Sequence, residues 1–469
     1  MMITLNLALR NLLRNRRRSI ATLVAMAIGS TSILLFGGFS ASIEYLMQTK
    51  QVQTGGHLQI QHRDFFRYGS GNPSAYGIAD YAKIIEAIKA DEVLGKMVLV
   101  ASPTLQFGGI AGNYTAGVSR TIIGNGFVAA DINQMRSWDN YGLRLKSPVF
   151  ALEGAAPDAA IVGVGVARVL QLCDALKISN CPTPDKEAKP EAAGEAKTLP
   201  DDIAALSQQE TKPGSEAAVN PRKIEVLVGN ARGAPNVTAL EVVRAEDQGI
   251  KELDEVYVMM HLTQIQKLIY GTAPPKATSI MIQLRQTAQM PAAVARLGPI
   301  LASFSKTQPL AVLDIRTLNP FYVQTIQMFD TIFGFIFVLI GAIVLFTVSN
   351  TMNTAVVERT VEIGTLRAIG LRRAGIRQLF VTEGALLGLS GAILGVVLAL
   401  TLAAIVNQAG LTWLPPGNVE PLPLLLLVSG QSTMIIGTTI GLIAIAVLSA
   451  WWPAYRAAQL NVVEALRHV

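Results

Sequence analysis

The sequence predicts a membrane protein with four transmembrane α-helices and a large α+β domain between the first and the second. Three observations predict it. Of 469 residues, 51% are hydrophobic and only 15% charged, with a mean hydropathy of +0.40, whereas soluble domains carry about 25% charged residues. Four apolar runs each reach the roughly 20 residues needed to cross a bilayer core. Residues 44–326 separate the first run from the second, enough chain for one or two folded domains.

Residues 1–19 read as a cytoplasmic arm, in which Leu5–Leu13 has the spacing of an amphipathic helix lying on the inner leaflet. The first span, 20–43, follows Arg10, Arg14, Arg16, Arg17 and Arg18. Its apolar run is too long for a signal peptide, so an uncleaved span is expected. The second span is 327–350, the third 378–406 and the fourth 432–452. Arg359, Arg367, Arg372, Arg373 and Arg377 fill the 351–377 loop, and Arg456 and Arg467 lie in the tail 453–469. The loop 407–431 has no Lys or Arg at all. The positive-inside rule then puts both termini and the 351–377 loop in the cytoplasm, and the large domain and the 407–431 loop outside. Trp451 and Trp452 read as interface anchors.

Within the large domain, His57–Gln61 alternates like a strand, and Ile78–Ala90 has helical spacing. Strands are expected at Val98–Phe107, Thr121–Phe127, Lys223–Val228, Val237–Val243, Asp254–Met260 and Thr278–Leu284. Helices are expected at Ala159–Leu172, Leu262–Tyr270 and Pro291–Phe304. Residues 182–221 are rich in Ala, Glu, Lys and Pro and poor in aromatics, which suits a flexible insertion. Cys173 and Cys181 stand at its entry, either as two unrelated thiols or as a local disulfide in an oxidising compartment. Phe65, Phe66, Tyr68, Tyr76 and Tyr81 form an aromatic cluster that reads as core or as a substrate contact.

The net charge of +6 does not point to nucleic acid, because the arginines cluster beside the apolar runs. Four scattered histidines and two cysteines offer no metal set, and no nucleophile–base or paired-carboxylate constellation stands out. No catalytic, cofactor-binding or metal residue is therefore assigned.

The segment with most to say is 356–377, VVERTVEIGTLRAIGLRRAGIR. Glu358 and Glu362, four residues apart, share a helix face, and Gly364 and Gly370 break or cap the helix. The segment suits either a solvated connector or a docking helix. Glu383, at the start of the third span, is either a functional intramembrane acid or a residue at the inner interface paired with Arg377 or with the docking segment. Gly384, Gly388, Gly391 and Gly395 lie on one helix face and permit close packing, within one subunit or across a dimer.

ERTVEIGTLRAIG, Glu358–Gly370, resembles the cytoplasmic signature of the permeases of type VII ABC transporters, the superfamily of MacB, FtsX and the lipoprotein-release permeases LolC and LolE. EGALLGLSGAILG (Glu383–Gly395), PAYRAAQLNVVEALR (Pro453–Arg467), LALRNLLRNRRRS (Leu7–Ser19) and GGHLQIQ (Gly55–Gln61) extend the likeness, nearest the LolC/LolE branch. The resemblance implies that 354–370 is a coupling helix in a groove of a cytoplasmic ABC ATPase dimer, with Glu358, Arg359, Glu362, Gly364, Arg367 and Gly370 at the docking positions. This chain has no G-x-x-x-x-G-K-[ST] loop, so ATP and Mg would sit on a separate partner. The chain itself is then no enzyme. A second permease copy, identical or paralogous, is implied, along with membrane lipid and a periplasmic adaptor, chaperone or hydrolase. The expected location is a bacterial inner membrane. The implied function is mechanotransmission that extracts or exports a lipophilic substrate such as a lipoprotein. The alternatives are an FtsX-like regulator of a cell-wall hydrolase and the permease of a three-part efflux pump.

Overall fold

In chain order the principal helices are α1 (Met2–Arg14), α2 (Arg16–Gly55), α3 (Tyr81–Ala90), α4 (Ala129–Arg136), α5 (Val164–Val169), α6 (Cys173–Leu176), α7 (Leu262–Tyr270), α8 (Met290–Phe304), α9 (Pro320–Glu358), α10 (Thr360–Ala368), α11 (Arg373–Ala409) and α12 (Ser432–Gln459). The strands of the large domain are β1 (Leu58–His62), β2 (Val98–Asn113), β3 (Val118–Phe127), β4 (Ala159–Gly163), β5 (Lys223–Gly229), β6 (Pro235–Glu246), β7 (Tyr257–His261), β8 (Ser279–Leu284) and β9 (Leu310–Asp314). The computed structural model describes all residues except 1, 15, 144, 146–147, 180, 182–219, 306–307, 415–420 and 463–469. Almost all of the expected 182–221 insertion, and the end of the tail, thus lie outside the described residues. The chain divides into two units, Met1–Met47 with Pro320–Trp413 and Leu422–Val469, and Gln48–Asn319 with Leu414–Pro421.

In the first unit, α2, α9, α11 and α12 are long and apolar enough to cross a membrane. The helices outrun the expected spans: α2 continues to Gly55, and α9 begins at Pro320 and ends at Glu358. At about 1.5 Å per residue, a helix of 40 residues such as α2 is about 60 Å long, twice a bilayer core. The bundle core gathers Met26, Ile33, Val348, Phe380, Leu387 and Leu442. Close approach comes from small residues. A Cβ at Gly384 or Gly388 would stand 2.5 Å from the Cβ of Ala450 or 2.9 Å from that of Ala446, both on α12. A Cβ at Gly391 would stand 2.6 Å from the Cβ of Met26, and Gly395 abuts Ser30, both on α2. The glycine face of α11 therefore packs within one chain, its first half on α12 and its second half on α2.

The second unit holds two layers built around one long strand. The first half of β2 joins β8, β1 and β9 in a four-stranded antiparallel sheet of order β2-β8-β1-β9. With α3 after β1 and α8 after β8, this is the strand and helix order of a ferredoxin-like βαββαβ layer. Its core is Leu58, Ile60, Ile84, Ile88, Ile282 and Leu297. The second half of β2 pairs with β3 and β5, β5 with β6, β6 with β4, β4 with β7, and β7 with β3. These six strands close into a barrel inserted between the second and third strands of the ferredoxin-like layer. Closure removes the sheet edges. Phe107, Ile122, Val162, Val226, Leu240 and Val258 belong to the cluster that fills it.

The helix expected over Ala159–Leu172 is instead strand β4 followed by the short helix α5. Residues 159–163, AAIVG, are buried on both faces, and a continuous apolar run carries neither strand nor helix period. The strand expected from Asp254 begins at Tyr257. Asp254 closes a short helix and accepts the Val164 and Gly165 N–H groups at 2.8 and 2.7 Å, at the start of α5. Burial holds the Asp254 carboxyl above its usual range. Helix α4 and strand β9 have no counterpart among the elements expected from the sequence. Phe65 is buried with its ring 6.3 Å from that of Tyr76, whereas Phe66 is exposed.

Cys173, in α6, is joined to Cys181 by a disulfide with a Cα–Cα distance of 6.0 Å. Arg222, beyond the undescribed segment, donates from Nε to the Ala175 carbonyl at 3.0 Å. Both sides of that segment are thus fastened to one short helix.

Candidate functional site

The proposed docking segment is not the single helix expected over 354–370. The chain breaks at Arg359, where φ is −108° and ψ 19°, and α10 is a separate helix of nine residues. Arg359 itself stands at the break. Its side chain turns into the bundle, where it is only 7% exposed, and pairs with Glu383 of α11, 2% exposed, at 3.0 Å. Glu383 also accepts a 2.6 Å bond from Asn11 Nδ2 of α1, and Arg359 Nη2 donates to the Asn11 carbonyl at 3.2 Å. Of the two pairings the sequence left open for Glu383, the structure forms the one with the docking segment. Arg377 instead lies over the ring of Trp451, 5.2 Å from its centroid.

The helix α10 ends at glycine for a conformational reason. Gly370 has φ +105°. The Leu371 N–H reaches the Leu366 carbonyl at 3.0 Å and the Gly370 N–H the Arg367 carbonyl at 3.1 Å, a Schellman close that favours glycine. Gly364 neither breaks nor caps the helix. It is buried inside α10, beside Ile363 in the bundle core.

The acids expected to meet a partner meet this chain's own arginines. Glu358 accepts from Arg18 at 2.7 Å, with a second bond to the same guanidinium, and Glu362 is paired with Arg14. Arg367 donates to the Leu460 carbonyl, just past the end of α12. Glu358 and Glu362 stay partly exposed within their pairs, and beside them the segment also exposes apolar side chains. Val357 is 68% and Ile369 79% exposed, and Val361 and Leu371 are exposed beside them. Of the six expected docking residues, five are held by this chain's own contacts or buried, and Gly370 ends α10.

Among the described residues no cluster of His, Cys, Asp or Glu has the makings of a metal site. His57, which no sequence pattern singles out, is fully buried in the large domain. Its Nδ1 accepts the Leu284 N–H at 3.0 Å, which leaves Nε2 protonated toward Thr287 Oγ1 at 3.2 Å. Burial lowers its pKa to about 4.

Residues 331–462 match the family described as FtsX-like permease C-terminal. The matched stretch contains most of α9 and all of α10, α11 and α12, so α10 and the glycine face of α11 both lie within the match. The macrolide export ATP-binding/permease protein MacB of Bordetella avium is 26% identical over 217 residues, 44% of this chain and 32% of that protein. The ABC transporter permease YtrF of Bacillus subtilis is 37% identical over 138 residues, 29% of this chain and 30% of that protein. An uncharacterized ABC transporter permease of Methanocaldococcus jannaschii is 33% identical over 129 residues. The chain spans only 20–32% of the length of these and other MacB relatives. Among solved structures, the extracellular domain of the transporter YknZ aligns over 55% of this chain and 99% of its own, with 13% identity and a TM-score of 0.28. The periplasmic region of MacB from Actinobacillus actinomycetemcomitans aligns over 59% and 96%, with 11% identity and a TM-score of 0.31.

Proposed function

We propose that this chain is the permease component of an ABC transporter and that α10 receives the motion of an ATP-hydrolysing partner. One observation carries the reading. Within a stretch that matches an FtsX-like permease domain, a short helix is separated from the span before it, held at its root by a buried ion pair, and left with exposed apolar side chains. An interface core is apolar and poor in charge, and Val357, Val361, Ile369 and Leu371 supply such a core. The arginine-rich end of the bundle, with Arg372 and Arg373 exposed beside α10, is then the cytoplasmic end. The sequence contains no phosphate loop, and in this reading ATP and Mg are bound by the partner.

In this reading the protein sits in a bacterial inner membrane with the large domain in the periplasm, and works as a pair of permeases on an ATPase dimer. Closure of the ATPase pushes α10, the long helices α2 and α9 carry the push, and the large domain shifts to extract or export a lipophilic substrate such as a lipoprotein. The hypothesis is tested by native purification of the complex from wild type and from a Val361→Glu/Ile369→Glu variant, with partners and bound lipids identified by mass spectrometry. The expected result is an ATP-binding subunit with wild type, lost from the variant while insertion is unchanged. An undiminished ATPase with normal hydrolysis in the variant would make α10 a mere connector. A co-purifying cell-wall hydrolase in place of lipid cargo would favour the FtsX-like regulator.

A further inference from the structure

We infer that α1 is a brace that positions α10, fastened at its root by the buried Arg359–Glu383–Asn11 cluster and laterally by the Arg14–Glu362 ion pair, while a second ion pair, Arg18–Glu358, ties α2 to the end of α9 just before α10. That α10 is the docking helix is the reading given above, and the brace deepens it by naming what holds that helix in place.

The three ties differ in kind. Arg14–Glu362 is exposed on both sides and Arg18–Glu358 is half-exposed. Such pairs are individually weak and easily exchanged. The central tie is not. Arg359 and Glu383 are both withdrawn from solvent, and separating them leaves an uncompensated charge inside the bundle. A buried pair of this kind fixes register more than it adds stability. Here it fixes the register of three elements at once: the α9–α10 break through Arg359, α11 through Glu383, and α1 through both the side chain and the carbonyl of Asn11. Ala8, fully buried one turn before Asn11, lets α1 lie close. The Arg14–Glu362 pair then stops α10 from swinging about that point, and Arg18–Glu358 holds the end of α9 from which it hangs. Glu358 lies just before the break and Glu362 just after it, and their partners Arg18 and Arg14 lie on α2 and α1.

The consequence is mechanical. A load on α10 reaches α11 through Glu383, α1 through Asn11 and Arg14, and α9 through the chain, whose last residue Glu358 is tied to α2 by Arg18. The charged residues of ERTVE are positioning residues, not contacts for the partner.

The experiment needs no partner, so its failure is distinguishable from failure of the docking reading. Spin labels are placed at Leu9→Cys and Ile369→Cys, both exposed, in the full-length chain in lipid nanodiscs. The native cysteines are disulfide-bonded and remain unlabelled. The double-label distance distribution is expected to be a single narrow peak in the parent. Glu358→Lys/Glu362→Lys sets Lys against Arg at both lateral ties and should spread it into a broad distribution. Adding Arg14→Glu/Arg18→Glu reverses both partners and should restore the narrow peak, which a merely general loss of stability would not do. Asn11→Ala creates no buried charge, leaves the Arg359–Glu383 pair in place, and should broaden the peak while insertion and monodispersity are kept. An unchanged narrow peak in both the Lys pair and Asn11→Ala, or a spread that the charge swap does not reverse, would overturn the brace.

Discussion

His57 gives the large domain an acid-sensitive joint whose size follows from the structure. The ring is fully buried, with Nδ1 accepting the Leu284 N–H and its edge meeting Trp138, ring centroids 5.0 Å apart. Protonating Nδ1 would set two donors against each other, and burial already lowers the pKa to about 4. An unfolded histidine titrates near 6.5. Between these values the unfolded chain binds more protons than the folded one, so stability falls as pH falls. The contribution is fully present above pH 6.5 and lost progressively toward pH 4. The linkage relation gives a loss of about 2 kcal/mol by pH 5 and about 3 kcal/mol at the limit. The assay is urea unfolding of the full-length chain in detergent at pH 7.5 and pH 5, followed through Trp138 with the other three tryptophans replaced by Phe. A His57→Gln variant keeps an acceptor and a donor but cannot titrate. Wild type should lose about 2 kcal/mol more than the variant over this interval. Parallel losses in the two proteins would refute the assignment of a buried neutral histidine.

Three further outcomes are expected. Gly388→Leu should force α11 from α12 and lower the detergent unfolding midpoint, at a cost of about 1–3 kcal/mol or more for overpacking. Gly437→Leu, where a Cβ meets nothing within 4 Å, should be near neutral, and equal effects would contradict the packing assigned to the glycine face. Thiol titration of the unfolded, unreduced chain should find no free thiol, because Cys173 and Cys181 are paired, and two reactive thiols would exclude the disulfide. A membrane-impermeant maleimide should label Asn236→Cys from outside the cell, and labelling only after access to the cytoplasm would reverse the topology drawn from the arginines.

The spans were legible because the bilayer imposes a length and an apolar composition on a contiguous stretch of chain, and both are written locally. Much of the large domain was legible in the same way, since β1, α7 and α8 each declare their own period. Its architecture was not. The barrel closes through pairings between β2 and β5, β3 and β7, and β4 and β6, separated by more than 70 residues. No local pattern records which strands meet. Strand β2 illustrates the difficulty: its first half is almost wholly buried, so alternation is missing where it leaves one layer for the other. The same loss of period hid β4.

At the candidate site the failure is more instructive, because a signal was present. In ERTVE the charges at 358, 359 and 362 look equivalent, and all three read as solvent-facing. They are not equivalent by spacing. Met352, Val356, Arg359 and Ile363 fall at intervals of four, three and four, and all four are buried. Ile376, Phe380, Glu383 and Leu387 repeat the same intervals on α11 and are buried too. Each stripe, the first running across the break between α9 and α10 and the second along α11, thus holds one charge, and the two charges are opposite. A lone charge on such a stripe carries a desolvation cost that folding does not tolerate, whereas two of opposite sign on neighbouring helices offset each other. The pair therefore follows from the two stripes read together, although neither stripe reveals it alone. Glu358 and Glu362 lie off that stripe, which leaves them to the arginines of the arm. What the stripe and the arm leave most exposed are the apolar Val357, Val361 and Ile369, beside carboxylates already engaged by arginines of this chain, and these are the side chains to which the proposed docking assigns the contact.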